Sequence, residues 1–131
     1  MMLKGRIISR GKATGLVLIS KDPISFYGGV NPDTGVVVEK GHSLEGKSVK
    51  GRILVFPNGK GSTVGSYTLY RLKKNGAAPL AIINTECEAI VAVGAIISEI
   101  PAIDKLEKDP FSILKDGDEA TVDAVKGVVV V

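Results

Sequence analysis

One glycine-rich loop, residues 57–67, combines residue types that could bind an anion and move a proton. Its sequence is PNGKGSTVGSY, with one lysine, Lys60, and three small hydroxyl residues that include Ser62. The apolar run before it, residues 53–56, is typical of a buried strand, and residues 68–74 have a helical pattern. Such a loop leaves backbone N–H groups and the positive end of the helix dipole facing solvent. The pattern therefore predicts a site for a carboxylate or a phosphate.

Ser62 is the candidate for proton chemistry, because glycines and Lys60 flank it where the helix N–H groups begin. A serine hydroxyl is a poor base in water. It becomes a base only where several N–H donors and a cation hold its alkoxide and a partner acidifies the proton to be removed. An exposed helix terminus contributes about 0.3–1 kcal/mol, which is too little. Two alternatives stay open: Ser62 caps the helix, or it is half of a catalytic site.

Two further glycine patterns match nucleotide-binding motifs only in part. Residues 41–48 (GHSLEGKS) fit the P-loop pattern, but two residues separate them from Gly51 and the next strand, which leaves no room for the required helix. The glycine spacing in residues 59–65 is one residue too long for the dinucleotide fingerprint. We therefore expect residues 41–48 to form a turn and His42 to lie at the surface or at the rim of a site.

The composition indicates one globular domain, residues 1–131, with an aliphatic core. Hydrophobic residues make up 44% of the chain, aromatic residues 5%, and the net charge is +3. No basic cluster is interleaved with aromatic residues, so we expect no nucleic-acid binding. No apolar run approaches the roughly 20 residues of a membrane span, and residues 1–6 lead into no signal-peptide core. We expect a cytoplasmic protein that does not bind membranes.

Metal and disulfide chemistry are limited by one cysteine, Cys87, and one histidine, His42. A single cysteine excludes an internal disulfide, and the two residues are too few soft ligands for a zinc site or an iron–sulfur cluster. The position of His42 before a turn also argues against a Ser-His-Asp triad. We predict that this chain binds no cofactor by itself, so that any metal must come from a partner.

The amino-terminal part predicts short strands around one long loop. Residues 5–9 and 15–19 are β-rich runs, which predict a hairpin or two adjacent strands, and residues 24–27 and 36–39 predict two further short strands. Between these lie residues 28–35 (GGVNPDTG), which are dense in turn formers. This loop is either a surface connection or, because it is long and polar, part of a binding rim.

From residue 53 onward the pattern alternates between strand and helix. Residues 85–88 (TECE) have the spacing of a capping box. Gly94 costs the following helix about 1 kcal/mol against alanine, so either the helix ends there or the glycine allows close packing. Two strand–helix–strand units imply a small parallel sheet with right-handed crossovers. The predicted strands are residues 53–56, 79–83 and 100–103, and the predicted helices are residues 68–74, closed by Asn75 and Gly76, and 89–97.

The carboxyl-terminal part predicts a polar, irregular segment at residues 105–118 and then strand, turn and strand at residues 119–125 and 128–131. A β-branched end left at a sheet edge invites aggregation, so we expect it to pair with the amino-terminal strands. The predicted fold class is α/β, with a β-rich layer from both termini packed on a small parallel βαβαβ unit.

Two motifs carry a family resemblance: residues 28–35 (GGVNPDTG) and residues 53–66 (ILVFPNGKGSTVGS), in this order and separation. The chain resembles the small subunit of the aconitase X family over nearly its whole length, including the Ile100-Pro101 step after the second helix. The resemblance implies the swivelling β/β/α domain of aconitases, which agrees with the predicted architecture.

The resemblance also implies a hydro-lyase that works only as a complex with a large catalytic subunit. The large subunit would hold the substrate and an iron–sulfur cluster, expected to be 4Fe–4S, which acts as a Lewis acid at the substrate carboxylate and the leaving hydroxyl. The family's proton acceptor falls on Ser62. From their positions in the two loops, we further predict that Lys60, Gly61 and Thr63 stabilise the alkoxide or the substrate carboxylate, and that Gly28, Gly29 and Asp33 also contribute to substrate binding.

The substrate implied by a separate small subunit of this length is a small phosphorylated hydroxy acid, mevalonate 5-phosphate, dehydrated to anhydromevalonate 5-phosphate in archaeal isoprenoid synthesis. The family also includes hydroxyproline dehydratases, usually with differently arranged chains, and the residues do not choose between the two substrates. A rival from another class is a non-catalytic binding or scaffold domain whose loop captures an anion. That rival predicts ligand binding by the isolated chain, whereas a subunit binds weakly or not at all without its partner.

Overall fold

The computed structural model describes residues 1–131, with eight strands and four helices. The strands are β1 (Met2–Lys4), β2 (Arg6–Ser9), β3 (Lys12–Ile19), β4 (Ile53–Phe56), β5 (Ala81–Asn84), β6 (Ala102–Asp104), β7 (Glu119–Asp123) and β8 (Val128–Val130). The helices are α1 (Phe26–Gly29), α2 (Gly65–Lys74), α3 (Ala89–Ile97) and α4 (Pro110–Ile113). None of these helices has the length and apolar content needed to cross a membrane.

Strand β3 connects two sheets, in the strand order β1-β8-β7-β3-β4-β5-β6-β2. Its first half pairs antiparallel with β7, and its last three residues, from Val17 to Ile19, pair parallel with β4. β4, β5 and β6 continue the parallel sheet, and β7, β8 and β1 form the sheet built from both termini. The predicted pairing of the carboxyl-terminal strand with the amino terminus is therefore confirmed.

Side chains of the parallel strands alternate between two cores, as strand geometry requires. On β4, Leu54 and Phe56 face α2 and α3, whereas Ile53 and Val55 face the other sheet. The same alternation occurs on β5, where Ile82 faces the helices. The molecule thus has three layers, sheet on sheet on helices, and the predicted fold class is confirmed.

Helices α2 and α3 pack closely because Gly94 has no side chain. A Cβ at Gly94 would lie 2.6 Å from Leu69 Cδ1 and 3.1 Å from Ser66 Cα. The hydroxyl of Ser66 donates a hydrogen bond of 2.6 Å to the carbonyl of Ile90. Of the two explanations for Gly94, close packing is therefore the correct one, and it fixes the start of α2 to α3.

The prediction that residues 5–9 and 15–19 form a hairpin or adjacent strands is wrong. β2 lies at the edge of the parallel sheet beside β6, whereas β3 pairs with β7 and β4. Gly11, with a φ of 144°, lies between β2 and β3 and packs against Pro101. A backbone conformation that favours glycine lets the chain leave the edge of one sheet and cross to the other layer.

Residues 24–27 and 36–39 are also not regular strands. They form only isolated bridges and, from Phe26, the short turn α1. Their apolar pattern comes from burial, since Ile24, Phe26 and Val37 are each at most 2% exposed. The ring of Phe26, for example, meets the ring of Phe56 edge-on, with centroids 5.8 Å apart. In these two segments, the side chains that anchor the loops to the core produce an apolar sequence pattern like that of a strand.

Residues 41–48 form turns, as predicted, but His42 does not lie at the surface. It is 6% exposed, its Nδ1 accepts a 3.0 Å hydrogen bond from the backbone N–H of Leu44, and its Nε2 lies 3.0 Å from the carbonyl oxygen of Pro23. Both bonds are satisfied when Nε2 carries the proton. His42 therefore holds two loop segments together.

The two long helices begin differently from the prediction. α2 starts at Gly65 rather than at residue 68, and it ends at Asn75 and Gly76 as expected. α3 has the predicted bounds, but its cap is Glu88 instead of Thr85. The Glu88 carboxylate accepts hydrogen bonds from the backbone N–H groups of Ile90 and Val91, at 2.7 and 3.1 Å. It thereby takes the place that a capping-box hydroxyl would have had.

Candidate active-site loop

The glycine-rich loop joins β4 to α2 at the carboxyl end of the parallel strands. This is the edge at which open α/β sheets bind ligands. Residues 60–63, which include Ser62, are all exposed. The loop is therefore in a position to meet a ligand or a second protein.

The first half of the loop is fastened on two sides. Ile24 accepts a hydrogen bond of 3.1 Å from the N–H of Lys60 and donates one of 3.2 Å to the carbonyl of Asn58. On the other side, a Cβ at Gly59 would collide with Glu88 Oε1 and would lie 2.6 Å from Val91 Cγ2. Gly59 is therefore required by close approach to the start of α3.

The ammonium of Lys60 is paired with the carboxylate of Glu39, at 2.9 Å. The pair links the loop to the segment that follows the second glycine-rich loop. Both side chains are partly exposed, 45% for Lys60 and 31% for Glu39. Exposed pairs contribute about 0–1 kcal/mol, so a bound anion can compete for Lys60 at little cost.

The hydroxyl oxygen of Ser62 accepts a 3.1 Å hydrogen bond from the N–H of Val64, just before α2. The carbonyl of Ser62 accepts a second bond, of 2.9 Å, from the N–H of Gly65. Ser62 thus stabilises the turn before α2, but it is not the helix cap, because the N-cap is Val64 and has no side-chain cap hydrogen bond. Its hydroxyl proton has no acceptor within the chain, so the hydroxyl is also free to react.

Three consecutive backbone N–H groups, those of residues 61–63, have no acceptor within the chain. The N–H groups of residues 65–67 differ, because they donate to the carbonyls of residues 62–64. Free donors therefore lie one turn before the helix rather than in its first turn. Gly61, with a φ of 88°, lies directly against the Ser25 hydroxyl, which no other residue type could do without strain.

A groove of about 440 Å³ lies between α2, with Val64 just before it, and α1 with the segment that follows α1. We call it the tyrosine groove. The residues that define it are Tyr27, Val38, Val64, Tyr67 and Arg71. Gly28 also lines the groove, whereas Ser62 and Lys60 lie outside it.

The structure brings only some of the predicted site residues together. Gly28 is exposed at the groove, and Gly29 is buried beside Glu39, the partner of Lys60. Asp33 lies near the far end of α2, where its Oδ1 accepts a 3.2 Å hydrogen bond from Asn75 Nδ2. Because α2 has ten residues, that end is about 15 Å from the loop.

Cys87 is a poor metal ligand or nucleophile in this structure. Burial, together with the nearby carboxylates of Glu88 and Asp104, raises the pKa of its thiol to about 12. Its backbone N–H donates a 2.7 Å hydrogen bond to Asp104, which is fully buried and paired with Arg6. The chain has no group of three or more side chains that could hold a metal. Its residues therefore do not fit an iron–sulfur cluster.

Glu39 and Glu88 were not identified from the sequence as parts of the site. Glu88 had a signal, because it falls in the predicted capping box, but nothing linked it to Gly59. Glu39 had none, since its partner Lys60 is 21 residues away. Pairs that form across loops leave no periodicity to detect.

The fold and this loop define a family. The family model of the aconitase X swivel domain matches residues 2–131, and the chain belongs to that family. The resemblance seen in the two motifs is thus confirmed.

Among curated proteins, the chain is similar to the phosphomevalonate dehydratase small subunit of Methanosarcina acetivorans, with 68% identity over 97% of this chain and 88% of that protein. It is 55% identical to the protein of the same name from Thermococcus kodakarensis, over 98% of this chain and 95% of the other.

Among solved structures, it matches the holo-form of Thermococcus kodakaraensis aconitase X with a TM-score of 0.93 and 54% identity, over 98% of this chain and 96% of that chain. It matches the solution NMR structure of a UPF0107 protein with a TM-score of 0.90 and 49% identity, over 100% and 98% of the two chains.

Proposed function

We propose that this chain is the small subunit of a phosphomevalonate dehydratase, which converts (R)-mevalonate 5-phosphate to trans-anhydromevalonate 5-phosphate. Relatives with that name match it at 49–68% identity over nearly its whole length. The observation that carries the proposal is the exposed Ser62, with free N–H groups beside it in a chain that has no group of three or more side chains able to hold a metal. Such a loop is half of an active site.

The other half belongs to a large subunit. An iron–sulfur cluster there, proposed to be 4Fe–4S, would supply Lewis-acid activation of the leaving hydroxyl. The residues of this chain do not fit such a group, because its single cysteine is a half-buried thiol with a raised pKa. Activity is therefore a property of the complex.

The proposed role of Ser62 is to take the proton from the carbon next to the substrate carboxylate. As that C–H bond breaks, its electron pair forms the double bond, and the hydroxyl on the neighbouring carbon leaves. Ser62 begins the step as an alkoxide and ends it as a neutral hydroxyl. The N–H of Val64, already 3.1 Å from the Ser62 oxygen, is one donor that would stabilise the alkoxide, and Lys60 with the loop N–H groups would supply the others or bind the substrate carboxylate.

The free N–H groups of residues 61–63 are proposed to bind the substrate carboxylate, with Lys60 turning from Glu39 to assist them. Gly28 and Gly29 are proposed as the rim of the site. Asp33 is proposed to act at a distance, since its contacts with Asn75 and Arg71 hold the far end of α2.

The test is to purify this chain with its large subunit under anaerobic conditions and to assay mevalonate 5-phosphate. The Ser62→Ala complex should lose turnover by about 10²- to 10⁴-fold, the usual contribution of a general base. Ser112→Ala, which changes an exposed serine in α4, is the matched control and should be fully active. Equal turnover by Ser62→Ala would contradict the assignment of the base.

Two alternatives give different results in the same experiment. Activity on hydroxyproline alone would contradict the proposed substrate. Binding of a small anion by the isolated chain as tightly as by the complex would instead favour a non-catalytic binding domain. The shared name of the relatives supports the phosphorylated substrate over both.

A further inference from the structure

All three tyrosines of the chain are exposed, although aromatic residues are few. Tyr27 is 56% and Tyr67 70% exposed, whereas Phe26 and Phe56 are buried. Tyr27 and Tyr67 lie across the tyrosine groove from each other, with Val38 and Val64, 48% and 44% exposed, completing its apolar walls. A contiguous exposed apolar patch marks an interaction site, and tyrosine is enriched in protein interfaces.

Arg71 is the one charged residue that lines the groove. Helix α2 carries Arg71, Lys73 and Lys74 in its last turn and no acidic residue. Arg71 closes one end of the groove, and its nearest carboxylate, Asp33, is 3.8 Å away. Both of these side chains are more than 60% exposed, which makes their pairing weak. Arg71 therefore offers its guanidinium to a carboxylate from another molecule.

The groove begins at Val64, two residues after Ser62. A stable interface covers about 800 Å² on each partner, which corresponds to a disc of about 16 Å radius. Tyr67 lies one helical turn further along, within about 10 Å of Ser62. A larger chain that brings a substrate to Ser62 will therefore also cover this groove.

We infer that the tyrosine groove is the surface by which this chain binds its large subunit. An apolar side chain of the partner fills the space between Tyr27 and Tyr67, and a carboxylate of the partner pairs with Arg71. The inference rests on the proposed function, because that function requires a large subunit at Ser62. Two other exposed apolar surfaces lie elsewhere in the fold: Val93 and Ile96 are on α3, which has no charged residue, and Met2 and Val130 are on the paired strands β1 and β8 of the other sheet.

The experiment measures the affinity of the purified large subunit for variants of this chain by biolayer interferometry. Tyr67→Ser should raise Kd about 30-fold, the effect of losing an interface hot spot. Arg71→Glu should raise it about 100-fold or more, because the partner carboxylate then meets a like charge, while Arg71→Lys should raise it less than about 10-fold. Circular dichroism checks that each variant is folded, and all the changed side chains are exposed.

Val93→Ser is the matched control, since it removes a comparable exposed apolar side chain from α3. Its Kd should stay within about twofold of the unsubstituted chain. An unchanged Kd for Tyr67→Ser, or an equal loss for Val93→Ser, would overturn the inference. Self-association of the isolated chain that Tyr67→Ser abolishes, with unchanged affinity for the large subunit, would also overturn it and assign the groove to a second copy.

Failure of the proposed function gives a different pattern. Ser62→Ala should lose turnover with its Kd unchanged, whereas groove variants should change the concentration of this chain needed for half-maximal turnover. Full turnover by Ser62→Ala would contradict the assignment of Ser62 as the base, but it would not affect the assignment of the tyrosine groove as the binding surface. Absence of any binding to the large subunit by the unsubstituted chain would contradict both.

Discussion

Two strand–loop–helix units of the same kind lie side by side in this fold, and they differ in whether the N–H groups near the start of the helix have an acceptor. Between β5 and α3, the carboxylate of Glu88 accepts hydrogen bonds from the first N–H groups of the helix. Between β4 and α2, residues 61–63 keep free N–H groups, and a serine stands among them. The N–H groups at the start of α3 are thus occupied by a carboxylate of the chain itself, and we call this strand–loop–helix unit the filled unit. Those before α2 have no such partner, and this open unit is the candidate functional site.

The filled unit also supports the open one. Gly59 in the loop of the open unit lies against Glu88 and Val91, so this loop packs directly on the start of α3. Ser66 and Gly94 add a second connection between the two helices. A perturbation of the filled unit should therefore reach the open one.

The most direct test of this difference is to place a carboxylate in the open unit as well. Ser62→Asp places a carboxylate before α2, as Glu88 does before α3. The complex should lose turnover by at least about 10²-fold, because the base is gone. The free energy of unfolding should rise by about 0.3–1 kcal/mol, because a negative charge at a helix start is favourable. Turnover assays and urea unfolding measure the two effects. Ser62→Ala is the control, and a gain in stability there as well would contradict this explanation.

A change at the contact between the units should have the next largest effect. In Gly59→Ala the new Cβ meets Glu88 and Val91, and we expect a loss of about 1–3 kcal/mol in the free energy of unfolding, with reduced turnover of the complex. Glu88→Ala removes one of the two groups that the Cβ meets. In a double-mutant cycle the combined variant should lose less stability than the sum of the single variants. Strict additivity would show that the contact is unimportant.

Removal of the internal carboxylate tests the filled unit alone. Glu88→Ala should lower the free energy of unfolding by about 0.5–2 kcal/mol, the usual effect of losing an N-cap. Glu86→Ala is the matched control two residues away, since Glu86 is 72% exposed and makes only a long pair with Lys105. Thermal unfolding of both variants measures the difference. Similar melting temperatures would mean that Glu88 is not the effective cap.

The ion pair between Lys60 and Glu39 should matter least for stability. Lys60→Ala and Glu39→Gln should each change the free energy of unfolding by less than about 1 kcal/mol. Their effects on substrate should differ: Lys60→Ala raises KM, and Glu39→Gln, which releases the lysine, does not. Steady-state kinetics of the two complexes decide this. An equal rise in KM for both would mean that the pair, rather than the free ammonium, is needed.

The reactivity of Cys87 next to the filled unit offers a test by pH. Because the pKa of the thiol is raised to about 12, the fraction of thiolate in the folded chain should rise about tenfold for each pH unit from 7 to 10, without a plateau. The unfolded chain ionises near 9, so this group lowers the stability of the fold above that pH. Alkylation by iodoacetamide followed by mass spectrometry measures the profile. A plateau near pH 9 would contradict the burial of the thiol.

The layers of the fold were predictable because wholly apolar runs such as residues 53–56 are buried on both faces. Strands were wrongly predicted where loop side chains are buried without strand pairing, for example at Val37, which anchors a loop to the core. The split path of β3 depends on Gly11 and on partners more than 100 residues away, for example Asp123 opposite Lys12. No local pattern carries such information.

The sequence indicated the loop that carries the candidate site, but not the contacts from other segments that hold this loop in place. Ser62 and its neighbours follow from the order of strand, glycines and helix. The ion pair of Lys60 with Glu39 and the contact of Gly59 with Glu88 arise only when separate loops meet. The predicted start of α2 at residue 68 was too late, and the free N–H groups at residues 61–63 precede the helix because those of residues 65–67 donate to the carbonyls of residues 62–64.

Strand β3, shared by both sheets, has a mechanical consequence. Its eight residues hydrogen-bond to β7 at one end and to β4 at the other, so the two sheets cannot slide or hinge against each other without breaking that strand. We therefore expect the two layers to move together. Any displacement that brings Ser62 towards or away from a partner's substrate is then a rotation of the whole domain, and the amide protons of β3 should be among the slowest to exchange with solvent.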